Sequence, residues 1–268
     1  MMQERPLVVL VTGASSGIGA ATAALLAERG HRVFAASRRA HAQTSAVRHV
    51  TMDVRDERSV RAGIDDVVSQ AGRLDALVCC AGVGIFGSVE ETSLERARAQ
   101  FETNVFGTLN PIRAALPGMR AQRSGRIVIV GSLAGRAPIP FQAHYSATKA
   151  ALDALALALR NEVMAFGIHV SLIEPGDIRT AFNESMDWGS EAASAYGEPL
   201  RRSERIIREA LPKAPGPEIV ARVVLRALTV RRPRVRYTAG PDSRLVPLGR
   251  RLLPDFVSLA LIRSHFKL

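Results

Sequence analysis

A chain of 268 residues, 47% of them hydrophobic, has enough apolar material for one substantial core, and no apolar run is long and unbroken enough to cross a bilayer. The formal net charge is +11, but Lys149, Lys213 and Lys267 are the only lysines and the arginines are scattered over expected helix surfaces. That distribution argues against a phosphate-tracking stripe, and so against a nucleic-acid partner. The two cysteines, Cys79 and Cys80, are adjacent, which excludes a disulfide framework and a cysteine-ligated zinc site. They read as small apolar core residues.

Met1 to Pro6 has no basic segment followed by an apolar core, so a soluble cytoplasmic protein is expected. Leu7 to Val11 (LVVLV) is wholly apolar and suits a central parallel strand covered on both faces. It enters Thr12-Gly13-Ala14-Ser15-Ser16-Gly17-Ile18-Gly19, then a helix over Ala20 to Arg29 with a capping Gly30. Gly13 permits the tight turn, Gly17 lets backbone amides approach a pyrophosphate, and Gly19 lets the helix pack on the strand. The helix N-terminus adds partial positive charge. Val33 to Ser37 is a second strand ending in Ser37-Arg38-Arg39, with no carboxylate to repel a 2′-phosphate. Two guanidiniums there favour NADP(H) over NAD(H).

A short third strand covers His49 to Met52. Asp53 and Val54 then flank an adenine, with Asp53 capping or bonding its amino group. An amphipathic helix spans Glu57 to Ala71, and Leu74 to Cys80 is the fourth strand, running into the small residues Ala81 and Gly82 that let a cofactor lie across its end. Leu94 to Arg120 reads as one long helix. Asn104 inside it, among apolar neighbours, is expected to be buried and hydrogen-bonded.

The fifth strand, Gly125 to Gly131, ends at Ser132. Tyr145 and Lys149 then open a helix that runs to about Phe166. Residues four apart share a helix face, so phenol and ammonium point into one space. A cation there favours phenolate and lowers the tyrosine pKa from about 10 toward working pH, the condition for acid/base use.

His169 to Ile173 is the sixth strand, followed by the loop Glu174-Pro175-Gly176-Asp177-Ile178-Arg179-Thr180. Alternating elements predict an α/β, doubly wound Rossmann-type fold in one domain over 1–268, with about seven parallel strands flanked by helices. Ligands then sit outside the strands' carboxyl ends, where all the residues singled out above fall. Residues 181–215, with Met186, Trp188 and Tyr196, are expected to form a substrate lid. A helix over Pro217 to Thr229 and a seventh strand over Arg234 to Thr238 follow. The extension 241–268 is a basic amphipathic segment, with Leu252, Leu253, Phe256 and Leu259 among Arg250, Arg251, Arg263 and Lys267. Docking on its own domain is the expectation, with membrane-surface contact the alternative.

The chain resembles the short-chain dehydrogenase/reductase family over roughly Leu7 to Gly240. The resemblance is carried by TGASSGIG at Thr12 to Gly19, Asn104, Ser132, YSATK at Tyr145 to Lys149, and PGDIRT at Pro175 to Thr180. The family's usual Asn-Asn-Ala-Gly is Cys79-Cys80-Ala81-Gly82 here, which implies weaker local bracing. The resemblance implies that Tyr145 exchanges a proton with substrate oxygen and Ser132 hydrogen-bonds that oxygen. Lys149 lowers the tyrosine pKa and binds the nicotinamide ribose, Asn104 holds a water linked to Lys149, and Thr180 with the Ile178 backbone holds the nicotinamide amide or phosphate. It further implies a homodimer or tetramer through the Asn104 and Tyr145 helices. The long tail and Arg38 are closer to the hydroxysteroid and retinol dehydrogenase branch, which implies a bulky hydrophobic alcohol or ketone. Two alternatives remain open: a nucleotide-binding regulatory protein without catalysis, and an NAD(H)-dependent reductase of a small polar substrate.

Overall fold

A computed structural model of the chain describes residues 5–39, 47–188, 195–240, 243 and 245–268; parts of the expected lid (189–194) and tail (241, 242 and 244) lie outside them, as do the first four residues. The seven expected strands are Val8–Thr12 (β1), Arg32–Ser37 (β2), Val47–Thr51 (β3), Ala76–Cys79 (β4), Gly125–Val130 (β5), Ile168–Pro175 (β6) and Arg236–Ala239 (β7). They form one parallel sheet in the order β3-β2-β1-β4-β5-β6-β7. The order reverses between β1 and β4, so a crevice opens at their carboxyl ends.

Alternation along the strands sorts the core onto two faces. Val8, Leu10, Leu77, Cys79, Ile127 and Ile129 face one helical layer, and Val9, Val11, Ala76, Val78 and Val128 face the other. The first layer is Glu57–Ala71 (α2), Gly107–Ala121 (α4) and Ala143–Val163 (α5); the second is Gly17–Glu28 (α1) and Glu218–Thr229 (α7). Strands buried on both sides need unbroken apolar runs, which is what Val8–Val11 and Ala76–Cys79 provide. Asp56, accepting from the Arg58 amide at 2.8 Å, caps α2, so the capping role does not fall to Asp53.

The helix expected over Leu94 to Arg120 is not uniform. Leu94–Phe101 (α3) and α4 are joined by a π-helical segment, Glu102–Phe106, with Asn104 fully buried in it. The extra residue per turn rotates one side chain off the α-helical face, and such segments are common at functional sites. Between β6 and α7 lie a short helical turn, Ala181–Glu184, and the helix Gly197–Ala210 (α6). Ile85–Phe86 and Asp187–Trp188 pair as a separate two-stranded ladder, tying this region to the loop after β4.

The tail forms two helices, Leu245–Leu252 (α8) and Asp255–Phe266 (α9). Its docking is partial: Ser258 and Phe266 are buried and Arg202 Nη1 donates to the Lys267 carbonyl at 2.6 Å, while most of the tail's large apolar side chains are exposed. Among the described residues no helix is long and apolar enough to cross a membrane, and no His/Cys/Asp/Glu cluster could hold a metal ion.

Candidate active site

The turn after β1 is built against the exit of β4. Gly13 has φ +64°, and a Cβ there would lie 2.7 Å from Ala81 Cα, so only glycine satisfies both the conformation and the contact. The Thr12 hydroxyl accepts from the Cys80 amide at 3.2 Å, which fixes the same junction. Gly17, at φ +55°, faces the loop after β6: a Cβ there would be 3.2 Å from Thr180 Cβ. Ser15 and Ser16 are exposed and Ile18 packs on the second core face. No side chain caps α1 at Ser16, and its first turn carries no acid, so the amides at its positive end face the crevice without a competing carboxylate.

At the end of β2, Ser37 is buried and its hydroxyl donates to the Arg39 carbonyl at 2.7 Å, which shapes the turn and leaves Arg38 and Arg39 exposed. Asp53 does not stand free to meet an adenine. Arg55 grips its carboxylate through Nε at 3.0 Å and Nη2 at 2.6 Å, and this pairing holds the carboxyl down to about 2, with Arg38 contributing. Arg55 is a third guanidinium at this end that the motif reading missed. The Val54 side chain is in the core and its carbonyl accepts from Asn110 Nδ2 at 3.0 Å. An anion-seeking helix end, a glycine cradle that a Cβ would fill and an arginine cluster fit a dinucleotide.

Ser132, Tyr145, Lys149 and Asn104 meet further along the crevice. Ser132 starts a single turn, Leu133–Gly135, where its oxygen accepts from the Ala134 amide at 3.1 Å, and its side chain stands near enough to the Tyr145 phenol to favour phenolate. Lys149 Nζ donates to the Val130 carbonyl at 3.2 Å and sits 5.5 Å from the Tyr145 ring centroid. Asn104 spans two elements. Its Oδ1 accepts from the Val83 amide at 2.8 Å, and its Nδ2 donates to the Val83 carbonyl and Thr148 Oγ1, both at 3.0 Å. Thr148 in turn donates to the Tyr145 carbonyl at 2.7 Å. Gly82 closes this group, since a Cβ there would lie 3.3 Å from Asn104 Oδ1 and 3.9 Å from Lys149 Nζ.

The titration differs from the sequence expectation. Burial pushes the Tyr145 phenol up to about 12, with Ser132 opposing and the Asp177 carboxylate reinforcing the rise. Burial also pushes the Lys149 ammonium down to about 8. Burial of the phenol outweighs the Ser132 contribution, and Lys149 is itself buried with its Nζ on the Val130 carbonyl. The expected lowering of the tyrosine pKa by Lys149 is therefore not a property of the protein alone.

Pro175 ends β6, and the Gly176 amide donates to the Ala239 carbonyl at 2.9 Å, so β7 steadies this loop. Ile178 is buried in the second core face and its carbonyl accepts from Asn183 Nδ2 at 3.0 Å. Beneath the loop a buried ion pair joins Arg136 Nε to Glu174 Oε1 at 2.5 Å, linking the Ser132 turn to β6.

The remaining wall is aromatic. The Phe182 ring lies 5.8 Å from Tyr145, and a Cβ on Gly84 would come within 2.9 Å of it. Phe86 packs on Trp188 at 5.2 Å and on Phe141 at 6.0 Å; Phe141 meets Tyr196 at 6.3 Å. Phe141 has φ +61°, a costly conformation for a bulky residue, held by its ring contacts and by the Gly87 amide donating to its carbonyl at 2.7 Å. Arg96 pairs with Asp187 at 2.6 Å and Arg208 covers the Trp188 ring at 4.2 Å. Phe86, Phe141 and Phe182 were not read from the sequence as site residues, although Phe141 precedes Tyr145 by four and Phe182 follows Thr180 by two.

Residues 7–189 match the short chain dehydrogenase family. The chain is 35% identical over 265 residues to a 3-ketodihydrosphingosine reductase of Bacteroides thetaiotaomicron, covering 98% of each. It is 35% identical over 273 residues to human 17-beta-hydroxysteroid dehydrogenase type 1, covering 92% of this chain and 81% of that protein. A solved short-chain dehydrogenase from Streptomyces avermitilis superposes with TM-score 0.83 at 33% identity, over 98% of this chain and 97% of that one. Two other solved structures differ in cofactor. One, a short-chain dehydrogenase/reductase from Burkholderia phymatum, is in complex with NAD (TM-score 0.79, 25% identity, 97% of each chain). The other, from Burkholderia cenocepacia, is in complex with NADP (TM-score 0.75, 27% identity, 97% and 98%).

Proposed function

The chain belongs to the short-chain dehydrogenase/reductase family, and from that premise we propose that it is an NADP(H)-dependent oxidoreductase interconverting a secondary alcohol and a carbonyl on a bulky hydrophobic substrate. The observation that carries the reading is the meeting of Ser132, Tyr145, Lys149 and Asn104 at one point of the crevice, with the Phe182 ring facing the phenol.

A bound nicotinamide cofactor supplies or accepts the hydride. Tyr145 supplies the proton. With its pKa near 12 the phenol is protonated at neutral pH, ready to donate to a carbonyl oxygen that Ser132 also hydrogen-bonds. Reduction leaves Tyr145 as phenolate. Lys149, whose ammonium titrates near 8, is the stronger acid and can return that proton downhill. Asn104 positions both groups, since it ties the strand-end loop at Val83 to the α5 backbone at Thr148.

NADP(H) is favoured by the exposed Arg38 and Arg39, the absence of an acid at Ser37, and the pairing of the Asp53 carboxylate with Arg55. The bulky substrate is favoured by the Phe182 ring against the phenol and by the apolar cluster of Phe86, Phe141 and Trp188 to which Phe182 belongs. A homodimer through the α3–α4 and α5 helices is favoured by Leu94 and Phe106, apolar and exposed there; a monomeric mass in solution would remove it. The deciding experiment is equilibrium binding of NADPH and NADH, followed by turnover on steroid, long-chain and small ketones. Tighter NADPH, a preference reversed by Arg38→Asp, and turnover on the bulky ketones are the expected results. Failure to bind either nucleotide would return the chain to a non-enzymatic reading.

A further inference from the structure

Among the described residues, α8 and α9 carry a run of large apolar side chains that stand exposed. Phe256 is 73% exposed, Leu252 68%, Leu261 57% and Leu259 54%. Isolated exposed leucines are ordinary, but neighbours on two consecutive helices mark an interaction site. Phe256, Leu259 and Arg263, at i, i+3 and i+7, share one face of α9. With Ile262 they line an open groove of about 540 Å³ whose opposite wall is Pro138, Ile139 and Pro140, from the segment between Ser132 and Tyr145.

The charges around this patch are one-sided. Arg251, Arg263 and Lys267 are exposed on the same two helices, and across 245–268 the sequence holds one acid, Asp255. A second copy of this chain is a poor occupant, because a two-fold contact would set these cations against their equivalents in a protein already at +11. An apolar face rimmed by guanidinium and ammonium groups matches instead the boundary between acyl chains and anionic headgroups.

We propose that α8 and α9 dock the protein on an anionic lipid bilayer, with Phe256 and Leu259 inserted among the acyl chains and Arg251, Arg263 and Lys267 on the headgroups. The groove then opens toward the bilayer from beside the Ser132 to Tyr145 segment. The docking stands apart from the enzymatic reading, because it requires neither cofactor nor turnover.

The test is vesicle flotation of the full chain at low salt, with vesicles of phosphatidylcholine alone and with about a third phosphatidylglycerol. The expected result is preferential binding to the anionic vesicles, lost by about tenfold or more on raising salt to about 0.5 M, as electrostatic anchoring requires. Phe256→Asp with Leu259→Asp removes binding at both salt levels by about tenfold or more, and Arg251→Glu with Arg263→Glu removes the anionic preference. These side chains are exposed, so the variants keep the fold, checked by an unchanged melting temperature. Equal binding to neutral and anionic vesicles, or a Phe256→Asp/Leu259→Asp protein that floats like the parent, would overturn the proposal. So would a fall in oligomeric mass in that variant with no change in flotation, which would assign the face to a second copy of the chain.

Discussion

The two walls of the crevice are held by different forces. On one side the groups are fixed by directional hydrogen bonds of 2.7 to 3.2 Å: Asn104 to Val83 and Thr148, Thr148 to the Tyr145 carbonyl, Ser132 to the Ala134 amide and Lys149 to the Val130 carbonyl. On the other, Phe86, Phe141, Trp188 and Tyr196 meet through ring contacts of 5.2 to 6.3 Å, and Phe182, in the same apolar cluster, meets the Tyr145 ring at 5.8 Å. A buried hydrogen bond specifies its partners, since an unmatched group costs about 1–3 kcal/mol. Ring packing specifies volume and leaves the residue type freer. The polar wall should therefore respond to single-atom changes, and the aromatic wall to changes of size.

The sharpest test of that difference is the loss of one oxygen. Tyr145→Phe removes the phenol and keeps the ring, including its contact with Phe182. Turnover should fall by about a thousandfold or more, within the range for a lost general acid, while NADPH affinity stays within about twofold. Steady-state kinetics beside equilibrium binding reads both. Equal losses in the two would mean that the phenol serves the fold or the cofactor and not the proton.

The same contrast explains what could be read from the chain alone. The seven strands were legible because strands buried on both faces need unbroken apolar runs, as at Val8–Val11 and Gly125–Val130. The polar wall was legible because its residues recur in fixed order along elements whose register is set. The π segment at Asn104 was not, since one extra residue in a helical turn leaves little trace in periodicity; an asparagine amid apolar neighbours was its only mark. The Arg55 grip on Asp53 was missed because two residues of opposite charge at i and i+2 in a loop carry no periodic signal. The aromatic wall draws Phe86, Phe141 and Phe182 from three separated segments, and nothing local marks them as neighbours.

The polar wall also carries a cost that the aromatic wall lacks. Below pH 8 Lys149 is charged in both the folded and the unfolded chain, and the folded state bears the desolvation of its ammonium. Between about 8 and the unfolded value of 10.5 the folded chain releases its proton first. The unfolded chain then binds more protons, so stability rises with pH across that window. Lys149→Met should abolish turnover and still stabilise the fold at pH 7 by on the order of 3 kcal/mol. The gain should shrink from pH 8 upward and vanish above about pH 10.5. Denaturant midpoints at pH 7 and 10.5 measure it. A variant destabilised at both would show that the Nζ bond to Val130 outweighs the burial of the charge.

The smallest expected effect belongs to the aromatic wall and is the one that separates packing from chemistry. Phe182→Ala empties the volume between Gly84 and the Tyr145 ring without touching a hydrogen bond of the polar wall. If that ring shapes the substrate space, kcat on a bulky ketone should change by less than about threefold while KM rises by about three- to tenfold, since uniform apolar contact is lost from ground and transition states alike. Discrimination between bulky and small ketones should narrow by the same factor, because a pocket lined only by apolar contact separates substrates by size. A fall in kcat comparable to that of Tyr145→Phe would show instead that Phe182 orients the phenol, and the division of the crevice into a directional and a volumetric wall would fail at the point where the two meet.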